Sequence, residues 1–190
     1  MTDWLQYWSQ RAIGSGNGAN ARPDYYDVVG AAEHIHKLCN LEDPSILDVG
    51  CGNGLTIFEL SKFYQKLTGI DYSKSMVNWC KENLGHMASF AIGNGESIPF
   101  KDNSFDLVIS MAVIQYVDNL DHAIMMVDEM YRACRPGGVV IVGDVIDKAE
   151  VESADGMMAF MPDEIANKHK FETTRSFFEQ DRRFDIIIRK

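Results

Sequence analysis

Three glycines at alternate positions, Gly50, Gly52 and Gly54, follow the apolar run Ile46-Leu47-Asp48-Val49. A buried strand that empties into such a turn lets the backbone bend sharply and lets a ligand approach bare main chain. The spacing is G-x-G-x-G. The dinucleotide fingerprint G-x-G-x-x-G wants its third glycine one place later, where Leu55 stands. Further along, Gly69-Ile70-Asp71-Tyr72-Ser73 ends a second apolar run on a carboxylate. A carboxylate there can accept both hydrogen bonds of a ribose diol, or cap a helix beginning at Ser73, and the two roles are compatible. A glycine cluster by itself is also what a plain tight turn would show.

Two later positions carry weaker chemistry. Gln115 and Tyr116 follow the apolar run 105–111, and Asp144 lies at the end of the run 139–145. Open α/β sheets bind ligands at such carboxyl ends. Tyr116 can touch a substrate or pack beneath the sheet edge. Asp144 can act as a base, or be solvated or cap a loop. His34 and His36 are two apart on a helical pattern, so they face different directions and cannot chelate one ion as an i, i+4 pair can. His86, His122 and His169 have no partner in sequence, and His122 is expected on the exposed face of its helix. The cysteines Cys39, Cys51, Cys80 and Cys134 include no C-x-x-C pair, so the expectation is reduced thiols in a cytosolic protein and no metal site.

The elements that must position these residues alternate. Val28, Ala32, Ile35 and Cys39 recur at helical spacing and predict a helix over 24–39. Strands are expected at 45–50, 66–71, 87–92, 105–111 and 139–145, with helices at 55–64, 73–84 and 120–134 between them. Strands joined by helical crossovers make a mostly parallel sheet covered on both faces, a Rossmann-like, doubly wound α/β fold. Beyond residue 147 the pattern weakens. A helix is expected at 172–180 and one last strand at 184–189, with the methionine-rich stretch 157–161 as a pocket wall or as adaptable packing. Residues 1–23 form a separate aromatic segment with Trp4, Tyr7 and Trp8, joined through the glycine-rich stretch 14–21 to a domain of residues 24–190.

Composition narrows the partners. The 190 residues carry 18 basic and 28 acidic side chains, a formal net charge of −10. Nucleic acid and anionic membrane surfaces would be repelled over most approaches, so a small-molecule partner is expected. The apolar runs are too short to span a bilayer, and the first residues have no basic stretch of the kind a secretion signal carries.

Taken together, Leu47-Asp48-Val49-Gly50-Cys51-Gly52-Asn53-Gly54 and Asp71 resemble the class I S-adenosylmethionine-dependent methyltransferases, in their small-molecule branch. Gly93-Asn94-Gly95-Glu96-Ser97-Ile98-Pro99-Phe100 is similar to that family's G-D-A-E-x-L-P-F segment. Phe105-Asp106-Leu107-Val108-Ile109-Ser110 resembles its fourth strand, and Arg135-Pro136-Gly137-Gly138 the turn before its fifth. The likeness runs over residues 24–146 and implies S-adenosylmethionine as cofactor, with S-adenosylhomocysteine as product. It also implies roles. Asp48 faces the methionine ammonium, Gly50, Cys51 and Gly52 pass beneath the methionine and ribose, and Asp71 holds the ribose hydroxyls. Tyr72 lies alongside Asp71, Met76 covers an adenine face, Asn94 and Gly95 recognise the adenine edge with Glu96 following, and Ser110, Met111 and Ala112 meet the methionine end. Asn94 stands where the family commonly has Asp; it can still accept and donate, without the charge.

The sulfonium methyl is already an activated electrophile, so alignment carries much of the rate and no catalytic constellation is required. The function expected is methyl transfer to an oxygen or nitrogen of a small metabolite, with the aromatic N-terminal segment as a lid or as a docked helix. The resemblance also implies two closing strands, of which only 184–189 reads convincingly. A shortened carboxyl end with an uncovered edge therefore suggests a homodimer, and the same shortened end together with Asn94 raises the alternative of a cofactor-binding regulatory or partner subunit without activity.

Overall fold

The computed structural model describes residues 28–149, 157–176 and 182–190, so the proposed lid segment 1–23 and the first residues of the expected opening helix lie outside the described residues. Helix α1 (Val28–Cys39) leads into β1 (Ser45–Val49), α2 (Leu55–Leu60), β2 (Lys66–Asp71), α3 (Lys74–Leu84) and β3 (Ser89–Ile92). The second half runs β4 (Phe105–Met111), a single 3₁₀ turn (Ile114–Tyr116), α4 (Leu120–Ala133), β5 (Cys134–Ile146), the short α5 (Pro162–Ile165), β6 (Phe171–Arg175) and β7 (Arg183–Arg189).

All seven strands form one sheet in the order β3-β2-β1-β4-β5-β7-β6. β1 to β5 are parallel, and β7 runs antiparallel to both its neighbours. The dinucleotide-binding order 3-2-1-4-5-6 has no such reversed strand between its last two. Along the strands, successive side chains enter opposite cores. Leu47, Val108, Val140 and Ile186 pack with Ala123, Val127 and Met130 of α4. Ile46, Leu107, Ile109 and Ile141 pack with Ala32, Ile35, Ile57, Leu60 and Val77 of α1, α2 and α3. This period of two, applied to strands apolar on both faces, is why the sheet is sandwiched between helices. Ser73 caps α3 through Met76 N, and Asn119 caps α4 through His122 N at 3.0 Å.

The carboxyl end departs from expectation. Residues 171–175 are strand, not the start of a helix, so both closing strands are present and β7 is an interior strand. Phe171-Glu172-Thr173-Thr174-Arg175 lies at the sheet's margin with mostly exposed side chains, so it needs no apolar alternation; its β-branched threonines were the available sign. The edges are therefore β3 and β6. The fifth strand also begins earlier than expected, at Cys134, and takes in the Pro136-Gly137-Gly138 turn.

β5 carries a bulge between Val142 and Val145, with Asp144 at φ 57°. The wholly buried carboxylate of Asp185 on β7 holds it. One oxygen accepts from Asp144 N at 2.7 Å, and the other lies 2.9 Å from Nε2 of His34 on α1. His36, two residues on, meets the Tyr64 hydroxyl at 2.7 Å and stacks on Phe63, so the two histidines do face apart. Removing the Asp185 carboxylate orphans a buried amide. Asp185→Ala is expected to cost about 1–3 kcal/mol in urea unfolding, whereas Asp185→Asn, which keeps an acceptor for that amide, loses less.

Candidate functional site

The loop after β1 is strapped down by main-chain bonds. Gly50 N and Cys51 N both donate to Ile70 O of β2, at 2.8 and 2.9 Å, and Gly54 N closes the turn onto Cys51 O at 2.9 Å. Two positions show why glycine is required. Gly50 has φ 78°, and a Cβ there would stand 2.6 Å from Val113 Cγ2, so the segment after β4 rests directly on the loop. Gly52 has φ 54°, and a Cβ there would meet nothing within 4 Å; its conformation demands glycine while its main chain faces open space.

Beneath the loop lie two carboxylates. Asp71 is buried, accepts from Gly52 N at 2.9 Å and from Ser73 N at 2.8 Å, and so ties the loop to the start of α3. Burial pushes its pKa up while those two amides pull it back. Asp48, at the end of β1 and only 2% exposed, has no such relief. Burial first, and then the charge of Asp71, push it up to about 7. Among the described residues no lysine or arginine pairs with either. The two acids make a negative seat inside the protein, beside the bare backbone of Gly52, and a positively charged or hydroxyl-rich ligand would relieve it.

The Cys51 thiol points away from that seat, down into the helical layer beside Cys80. The Cys80 contact and burial keep it protonated. Cys80 Sγ in turn lies 3.3 Å from Gly52 O. Cys80 and Val113 fix the loop without having announced that role in the sequence, because they act through packing and a contact to a backbone group, whereas Ser73 was legible there as the start of the helix.

The rim continues over β3. Gly93 N donates to Asp71 O at 3.1 Å, and Asn94 forms a tight turn in which its Oδ1 accepts from Glu96 N at 3.1 Å. Gly95 is pressed against Met126 and Val49, where a Cβ would come within 3.0–3.2 Å. Glu96 lies 3.3 Å from His122 Nδ1, so His122 sits between that carboxylate and Asp118 rather than facing solvent alone. Tyr72 is exposed beside Asp71, and Met76 is fully buried below. Asp71, Tyr72, Asn94 and the Gly52 backbone thus line one rim, above β2 and β3.

At the β4 end, Ser110 Oγ donates to Val49 O at 2.9 Å and clamps β4 to β1. The Met111 side chain lies against Gly143 of β5. The chain then turns at Ala112, whose φ is 55°. Gln115 is buried and its backbone carbonyl accepts from Met158 N at 2.8 Å; Tyr116 is half-buried. Asp144 is neither solvated nor a loop cap. It is 2% exposed in the β5 bulge and paired with Arg183 at 3.2 Å, an ion pair no sequence pattern joined.

Comparison with known proteins agrees with this geometry. The family described as "Methyltransferase domain" matches residues 47–142. A sterol 4-C-methyltransferase of Caenorhabditis elegans is 30% identical over 121 residues, 60% of this chain and 35% of its own length. Norajmaline N-methyltransferase of Rauvolfia serpentina is 31% identical over 112 residues, 53% of this chain and 37% of its own length. The chain thus spans roughly a third of the length of these relatives. Phosphoethanolamine N-methyltransferase 1 of Haemonchus contortus, solved with phosphoethanolamine and S-adenosylhomocysteine, superposes on the whole chain and half of its own with TM-score 0.76, at 15% identity. That likeness is one of fold.

Gly50→Ala should destabilise the protein by about 1–3 kcal/mol through the left-handed backbone, with a further loss from the clash with Val113. In a denaturation cycle, adding Val113→Ala should restore the clash part and leave the backbone part.

Proposed function

The chain belongs to the class I S-adenosylmethionine-dependent methyltransferases, and from that premise we propose that it transfers a methyl group from this cofactor to a small metabolite, releasing S-adenosylhomocysteine. The observation that carries the reading is the buried, uncompensated pair Asp48 and Asp71 beneath a glycine loop whose backbone is open at Gly52. The cofactor supplies a methyl on a positively charged sulfur, so the protein's task is to bind, orient and exclude water.

In this reading Asp48 faces the ammonium of the methionine moiety. Asp71 keeps a free lone pair on each oxygen beyond those used by Gly52 N and Ser73 N, and takes the two ribose hydroxyls. Gly50, Cys51 and Gly52 run beneath the ligand through their backbone. Tyr72 lies alongside Asp71 at the ribose, Met76 forms the buried floor on the adenine side, and Asn94 with the Gly95 N–H reads the adenine edge, Glu96 bracing the turn from His122. Ser110 and Met111 act through the strand ends they fix, leaving Ala112 to approach the methionine end.

The acceptor is a small molecule rather than nucleic acid or a membrane, consistent with the net charge of −10. We extend the accepting atom beyond oxygen or nitrogen to carbon, because one relative is named a 4-C-methyltransferase. Among the described residues no helix is long and apolar enough to cross a membrane. Four buried free cysteines support a reducing, cytosolic setting. An inactive partner subunit was motivated by a shortened sheet and by Asn94 in place of Asp; both closing strands are present, so the first motive is gone and the second rests on Asn94 alone.

Calorimetry should show micromolar binding of S-adenosylmethionine and S-adenosylhomocysteine, weakened at least tenfold in Asp71→Ala; unchanged affinity there would refute the placement of the ribose. pH supplies a second test. Asp48 titrates near 7 in the free protein and must be ionised to meet an ammonium, so binding below pH 7 releases a proton. Affinity should fall as pH drops from 7 to 6, by up to about tenfold per unit, and level off above 7.5. Asp48→Asn should flatten this profile.

A further inference from the structure

Gln115 is 1% exposed, and no described residue lies within hydrogen-bond distance of its Oε1. An amide oxygen buried without a partner is costly, and folded proteins rarely retain one unless something else completes it. Its position suggests what that is. It lies two residues past Val113, which rests on Gly50 of the cofactor loop, in a turn packed against β5. Its backbone carbonyl accepts from Met158 N, which brings the half-buried Met157 and Met158 alongside. The surroundings are therefore apolar and adaptable.

Charge narrows the ligand further. The acidic groups at this end are Asp48, Asp71 and Asp144, while Arg183 is engaged by Asp144 and Lys148 by Glu164. Among the described residues, a phosphate or carboxylate arriving here would meet the acids and cations that are already paired.

Building on the methyltransferase reading above, we propose that Gln115 determines acceptor specificity: its Oε1 accepts a hydrogen bond from an N–H or O–H of the methyl acceptor, which is a neutral or cationic amine or hydroxyl compound with an apolar body. A site built to meet a donor rejects the analogue lacking it, because the buried oxygen is then left unpaired.

The test uses the whole chain saturated with S-adenosylhomocysteine. It is screened by thermal shift and then calorimetry against matched pairs of small aromatic compounds, an aryl amine beside its N,N-dimethyl counterpart, a protonated alkyl amine beside its trimethylammonium counterpart and an alcohol beside its O-methyl counterpart, with the corresponding carboxylates and phosphates included. The expected hits are donor-bearing members that bind at least tenfold tighter than their capped counterparts. In Gln115→Leu and Gln115→Met that discrimination should vanish with S-adenosylhomocysteine affinity unchanged, and Tm should rise by about 2–4 °C as the unpaired oxygen is removed. A merely structural glutamine would lower Tm instead. The proposal is overturned if no donor-bearing compound binds, if the anionic set binds best, if capped and uncapped members bind alike, or if the variants keep the discrimination. If S-adenosylhomocysteine itself fails to bind the wild-type protein, the cofactor reading has failed, and that outcome is distinguishable from all of these.

Discussion

Asp48 and Asp71 stand side by side at the ends of two adjacent parallel strands, under a loop that shuts out water and offers no cation. Much of the surrounding construction serves that one electrostatic problem. Asp71 is made tolerable by two backbone amides, one from the loop and one from the helix start. The loop amide is presented by a segment in which Gly52 adopts a left-handed conformation and Gly50 N and Cys51 N are both fastened to Ile70 O. Asp48 receives no such help and bears the cost as a raised pKa. A carboxylate that half-ionises near neutrality when empty, and fully when a cation arrives, couples ligand binding to proton release without any moving part.

The two halves of the sheet's carboxyl edge are built differently, and the difference has a functional meaning. Over β1, β2 and β3 the fixed contacts are mainly backbone bonds and glycine conformations, with the Asp71 carboxylate and the Cys80 thiol as the side-chain ties. Over β4, β5 and β7 they are side-chain bonds: Ser110 to Val49, Asp185 to the Asp144 amide and His34, Asp144 to Arg183. A half held by its backbone can keep one cofactor while sequences drift, and a half held by side chains can be rewritten for a new acceptor.

The same division decided what could be read from the sequence. The bounds of Phe105–Met111 were legible to the residue, because that strand is buried on both faces, and those of Lys66–Asp71 because charged residues stand at both its ends. The glycine loop and Asp71 were legible because backbone geometry restricts which residues can stand there. β6 was not, since an edge strand with exposed faces carries no apolar period. Asp185 alternates with Phe184 and Ile186 and reads as a solvent-facing position. It is wholly buried because β7 lies inside the sheet and α1 covers that face, facts that only the topology supplies. The bulge that re-aims Asp144 is a register shift, invisible along a single strand.

Where the chain breaks its own rules is also informative. Asn40, Asp43 and Asn103 adopt positive φ at the opposite end of the sheet, a conformation their short polar side chains take readily in loops. Ala112 has no such excuse, and it turns at the carboxyl end of β4, above Gly50 and just before the unpaired amide of Gln115. Three separate costs, a strained alanine, a half-ionised acid and an orphaned oxygen, therefore fall along one edge of the sheet. A sequence shaped for stability alone would have removed each by a single substitution. Their concentration between the cofactor loop and β5 marks the stretch where binding, rather than folding, supplies the compensating free energy.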